Sequence, residues 1–215
     1  GNSFFLLIVL GLLLTAVILI FKKPIIYAFG ASSATFPYAD NYITIYLLGS
    51  VFVMIGLGMN SFINSQGFAR TGMMTVLIGA VLNIILDPVF IFVLHLGVRG
   101  AALATVISQF ISSVWVLLFL AGRKTILKLK TENFRLKLTL VRQIVTLGLS
   151  GFTMSVTNSI VQIACNATLQ IYGGDLYVTV MTILNSIREV ITMPVTGITN
   201  GAQPVLGYNY GAEQY

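Results

Sequence analysis

Eighteen consecutive residues, Phe4–Phe21, carry no charge, and comparable uncharged stretches fill most of the remaining chain. A helix of about 20 apolar residues crosses a hydrocarbon core ~30 Å thick. In lipid each backbone N–H and C=O must be paired within its own helix or around a closed barrel. A barrel strand alternates polar and apolar side chains; these runs are continuously apolar, so only helices remain. With 8% charged residues, 57% hydrophobic residues and a mean hydropathy of +0.94, the chain is far from the ~25% charged content of soluble domains. The expected fold class is an all-α integral membrane protein, a multi-span helical bundle.

Six spans can be read in order. The first, Phe4–Phe21, ends at Lys22-Lys23-Pro24, and an interfacial connection rich in turn and aromatic residues leads to Asp40. The second runs from about Asn41 to Gln66 and the third from about Met73 to Leu96, with Asp87-Pro88 inside it. Pro88 frees the carbonyl of Ile84, and Asp87 is expected to cap the helix resuming beyond. The fourth, Ala101–Ala121, opens with small residues that let helices approach closely. The fifth covers about Ile144–Tyr172 and the sixth about Tyr177–Gly201, joined by the turn Gly173-Gly174-Asp175, with Pro194 expected to bend the last.

The stretch 122–142 holds seven of the twelve basic residues and a single acid, Glu132. Dense positive charge between spans is retained in the cytoplasm. Counting from it, loop 67–72 and both ends are cytoplasmic, whereas 22–40, 97–100 and 173–176 face outward. The expected location is the cell (plasma or inner) membrane, multi-pass. The net charge of +6 is concentrated in one loop, which suits anionic headgroups rather than nucleic acid. The single Cys165 excludes an internal disulfide or thiolate cluster and reads as a small packing residue. The first residue is not Met and no leader pattern precedes the first span, so the chain is expected to be an internal piece that does not transport by itself.

No Walker loop, HExxH, CxxC or nucleophile elbow occurs, so no enzymatic activity is expected. The sole histidine, His95, sits at an outer helix end, where an interfacial role is expected. Polarity at membrane depth is then the functional signal. Asn158, Gln162 and Asn166 fall at i, i+4 and i+8, one face of the fifth span; this stripe lines a cavity or bonds neighbouring helices. Arg188 and Glu189 lie about 17–18 Å into the sixth span. Adjacent residues point about 100° apart, and Glu189 is expected to share a face with Asn185. A carboxylate at that depth is cheaper to bury protonated and could bind and release protons; a structural network is the alternative. Secondary candidates are Asn60 and Asn64, one turn apart, and Asn83 with Asp87.

Three stretches, LNIILDPVFIF (82–92), GVRGAALATVISQ (97–109) and MPVTGITNGAQPVLGYNYGA (193–212), in this order around a basic loop, resemble the MATE (multidrug and toxic compound extrusion) transporters. The resemblance covers essentially the whole chain and implies helices three to eight of a twelve-helix, two-lobe bundle around a central cavity. Residues 1–121 would be the last four helices of the N-terminal lobe, 122–142 the cytoplasmic inter-lobe loop, and 143–215 the first two helices of the C-terminal lobe. It implies antiport, with Na⁺ or H⁺ influx driving efflux of organic cations or other small toxic compounds. No cofactor beyond that ion is expected; the partners are small-molecule substrates, the bilayer and the remaining helices of the same chain. Two positions depart from the pattern: Asn158 stands where one branch has a carboxylate, and Ser150 where a proline usually follows Gly148-Leu149. Glu189 is the replacement candidate for coupling. The alternatives are a lipid-linked saccharide flippase of the same superfamily, which would favour a more cationic cavity, and a non-transporting structural or sensory membrane subunit.

Overall fold

The computed structural model of the protein describes residues 1–122, 125, 127 and 137–213, and among them every regular element is a helix. Most of the basic stretch therefore lies outside the described residues; of its seven cations only Lys137 and Arg142 fall within them.

Helix α1 spans Asn2–Ala28 and does not stop at Lys22-Lys23-Pro24 as expected. Pro24 removes one N–H, but the charges need not leave the helix. The Lys22 ammonium is 2.7 Å from the Asp40 carboxylate and donates to the Thr44 hydroxyl at 3.1 Å. Asp40 is correspondingly inside a helix rather than in a loop.

The expected second span is two helices, α2 (Phe36–Leu48) and α3 (Ser50–Ser65), bent by 55° at Gly49. The bend has a packing reason. A β-carbon on Gly49 would lie 2.5 Å from a methyl of Val106, so only glycine lets the next layer approach. Helix α4, Ala69–Pro88, then continues into a π-helical turn, Val89–Val93. Asp87-Pro88 therefore does not break and re-cap the helix. The wider turn, with Leu94 N–H donating to the Val89 carbonyl at 2.9 Å, carries the backbone past the N–H that Pro88 lacks.

His95 and Gly97, with φ of 52° and 55°, reverse the chain into α5, Val98–Ala121. His95 sits in this exposed turn, and its side chain belongs to no cavity described below. The small residues of α5 pack as expected: Ala102, Ala104 and Ser108 are at most 1% exposed. Ile55, Met59 and Ile63 of α3 meet Val116 and Leu120 of α5, with Phe4, Leu7 and Ile8 of α1 against them. In lipid such contacts gain little from leaving hydrocarbon, so close packing holds them.

The last helix, Leu138–Gly211, has 74 residues and is broken at Gly174, where φ is 62° and ψ −160°. Unbroken it would be about 110 Å long, more than three times a bilayer core. Its limbs are α6 (138–173) and α7 (175–211), and residues of both line one cavity. The turn matches the expected Gly173–Asp175, whereas α6 starts six residues early and α7 extends to Gly211 through Pro194 and Pro204. With the bent α2–α3 pair taken as one crossing, the described residues make six.

The turn is clasped to the connection between α1 and α2. Ser32 Oγ donates to Asp175 Oδ2 at 2.9 Å, and Gln170 Nε2 to Asp175 Oδ1 at 3.0 Å. Large apolar side chains such as Leu147 (83%) and Ile198 (74%) stand exposed along α6 and α7. In water that surface would be untenable; against lipid or further helices it is ordinary.

Candidate functional site

The described residues form a polar cavity in each half of the chain. The first, about 240 Å³, is between α6 and α7. Asn158, Gln162 and Asn166 line it together from α6. Asn185 and Arg188 face it from α7; Glu189 is not among the residues that line it. The helical period explains the swap. Residues three and four after Asn185 lie on opposite sides of its direction, and the cavity is on the side of the i+3 position. The side chain expected with Asn185 was Glu189; the one found there is Arg188.

Asn166 is the fixed point of this cavity. It is 8% exposed, and its amide donates to the Phe29 carbonyl at 3.1 Å, one of the acceptors left free where α1 ends. Gly30, at φ 95°, brings the chain so close that a β-carbon would sit 3.1 Å from the Asn166 Cβ. Cys165, expected as a small packing residue, is exposed among the described residues and lines the cavity. Ser159 instead bonds its own helix, to the Ser155 carbonyl.

The second cavity, about 200 Å³, lies among α3, α4 and α5. Asn83 and Asn60 line it, as do Thr75, Thr105, Ser108 and Ser112. The Asn83 amide stands between the Asp87 carboxylate at 3.4 Å and the Thr105 hydroxyl at 3.3 Å. Ser112 Oγ donates to the Thr75 carbonyl at 2.7 Å, linking α5 to α4. Ser108 Oγ and Asn60 Oδ1 are buried without a hydrogen-bond partner. Such orphans are expensive in a dry interior and mark places for water or a ligand group. The amide of Asn60 donates to the Gly72 carbonyl at 3.3 Å. Asn64 packs against Gly72, where a β-carbon would collide with its oxygen, and does not line the cavity.

From sequence the small residues at the start of α5 read as packing alone. Thr105, Ser108, Gln109 and Ser112 recur at i, i+3, i+4 and i+7 and all line this cavity. That stripe is the same kind of signal that exposed Asn158–Asn166.

The chain matches the MatE family model over residues 1–89 and 151–215. It is 29% identical over 205 residues to the multidrug export protein MepA of Staphylococcus haemolyticus, covering 94% of this chain and 45% of that protein. A solved multidrug resistance MATE family transporter of the MOP superfamily, in its inward-facing conformation, superposes with a TM-score of 0.83 at 27% identity. That match covers 97% of this chain and 48% of the other. A MOP superfamily transporter from Pyrococcus furiosus, whose binding pocket is described as having reverse polarity suggesting a different function, gives a TM-score of 0.86. There the identity is 26%, and 98% of this chain and 47% of that chain are covered. The chain thus spans about half the length of the curated relatives it matches.

Proposed function

Because the chain belongs to the MatE family of membrane transporters, we propose that it is part of a secondary transporter that exports small amphiphilic compounds in exchange for Na⁺ or H⁺. On this reading residues 1–121 close the N-terminal lobe, residues 143–215 open the C-terminal lobe, and the cationic stretch between them is their cytoplasmic link. The work comes from the ion gradient, not from chemistry on the substrate.

The observation that carries the proposal is the Asp87–Asn83–Thr105 contact beside a polar cavity in the α3–α5 bundle. A carboxylate at membrane depth with no cation beside it among the described residues is a functional group by default. It can take a proton or a bare cation; the Asn83 amide donates to it, and Thr105 in turn accepts from that amide. Binding of the ion stabilises whichever arrangement of the bundle holds it better, and differential affinity of that kind is the only way a ligand shifts such an equilibrium. Asp87 therefore takes the coupling role expected of Glu189, which lies off the α6–α7 cavity. The amides of Asn158, Gln162, Asn166 and Asn185 form the wall for the exported compound.

Asp87→Asn in the complete transporter should abolish gradient-driven drug efflux from energised vesicles at unchanged protein level. Glu189→Gln should pump within about twofold of the parent, since Glu189 lines neither of the two polar cavities. If Asp87→Asn pumps normally and Glu189→Gln does not, the assignment of the coupling group is reversed. A second reading, export of a lipid-linked saccharide, gains from Arg188 lining the α6–α7 cavity.

A further inference from the structure

We propose that the α6–α7 cavity is a recognition site for an oxyanion, the carboxylate or phosphate group of an amphiphilic substrate, with Arg188 as its anchor. The inference rests on the transport reading above and narrows its substrate class.

The α6–α7 cavity is lined by amides, apolar groups, Cys165 and one charged side chain, Arg188. No hydrogen bond or ion pair from the described residues reaches the Arg188 side chain. Glu189, the adjacent acid, points elsewhere on the helix and is outside the lining. An arginine at membrane depth is costly unless it pairs, and intramembrane arginines usually do. Its planar fork of donors fits a carboxylate or phosphate in bidentate fashion.

The surrounding groups fit the same ligand. Asn158, Gln162 and Asn185 each carry two N–H donors that can complete the shell of an oxyanion held by Arg188. Asn166 is committed to the Phe29 carbonyl and holds the wall still. An organic cation entering this cavity would face Arg188 with no carboxylate among the described lining residues to offset it. The two cavities thus divide the labour: Asp87 adjoins the one suited to the coupling cation, Arg188 the one suited to substrate charge of the opposite sign.

Cys165 lines the cavity and is the one cysteine of this chain, which makes it a reporter. The complete transporter, with any other cysteine replaced, would be reconstituted in zwitterionic lipid and labelled at Cys165 with a maleimide. Three probes compete: a xanthene dye with a free carboxylate, the ethyl ester of the same dye, and a short-chain polyprenyl diphosphate. The carboxylate dye should protect Cys165 at a concentration at least about tenfold below that of the ester, in line with a charge-assisted pair. Arg188→Gln should erase that preference, and Arg188→Lys should keep part of it as a point charge without the fork. A diphosphate that protects better than the dye identifies the lipid source; a dye that protects better identifies a free carboxylate compound. Equal protection by acid and ester, or a preference that survives Arg188→Gln, overturns the proposal. Gradient-driven efflux of each probe is measured alongside. Efflux with no acid preference at Cys165 refutes the oxyanion site alone, whereas no gradient-driven movement of any probe refutes the transport reading beneath it.

Discussion

Replacing Gly100 by alanine puts a methyl group where the structure has the backbone of Phe90. The new β-carbon would lie 2.6 Å from the Phe90 carbonyl oxygen, 2.7 Å from its carbon and 3.1 Å from Ile91 N. These are backbone atoms of the π-helical turn and cannot rotate aside. To reach the 3.4 Å at which ordinary contact begins, α5 must withdraw by roughly the 0.8 Å difference. Overpacking of this kind costs about 1–3 kcal/mol. Alanine recovers less than ~1 kcal/mol of helix propensity, because Gly100 is in the first turn of α5. The net destabilisation is about 1–2 kcal/mol. The displacement has a second effect five residues along. The Thr105 hydroxyl is 3.3 Å from the Asn83 amide, close to the limit for a hydrogen bond, and a further 0.8 Å of withdrawal parts them. Gly100→Ala should therefore lower both the unfolding midpoint of the complete transporter in mixed micelles and its gradient-driven efflux. Gly197→Ala is the control, since no described residue lies within 4 Å of a β-carbon there. A Gly100→Ala protein as stable and as active as the parent would refute the close approach of α5 to the π-helical turn.

Asn166→Ala leaves the Phe29 carbonyl without its donor and should destabilise the protein by about 1–2 kcal/mol in the same micelle titration, whereas Asn166→Gln should lose less. Cysteines placed at Lys128 and at Gly174, with Cys165 replaced, should react with an impermeant reagent from opposite sides of intact cells. Labelling of both from outside would put the cationic stretch on the wrong side of the membrane.

The number and order of the crossings were legible because length and lack of charge are cumulative signals. A stretch such as Phe4–Phe21 has nowhere else to be. The turn at Gly174 was legible for a local reason, two glycines and an aspartate between apolar runs. The helix ends were not. Pro24, Pro88, Pro194 and Pro204 all lie inside helices. Proline is a poor stop signal in lipid, where a missing N–H is met by local adjustment and the alternative is exposed backbone. The bend at Gly49 was hidden because its cause is Val106, 57 residues away and invisible to any local pattern. In the candidate sites the amide stripe of α6 could be read from its period. The choice between Arg188 and Glu189 could not, since both flank the direction of Asn185 and only the position of α6 selects one. The α5 stripe from Thr105 to Ser112 had the right period but small side chains, and these read as packing.

The clasp between Asp175 and Ser32 has a mechanical consequence. The hairpin is fastened near its turn to the connection between α1 and α2, through Asn166 on the Phe29 carbonyl and Asp175 on Ser32. Where α6 begins, the Lys137 N–H donates to Asn2 Oδ1 at 3.1 Å, at the opposite end of α1. An element held at both ends is a strut: it cannot pivot about one fastening without straining the other. Movement within the hairpin therefore falls on α7, which is joined to that strut at the Gly174 turn.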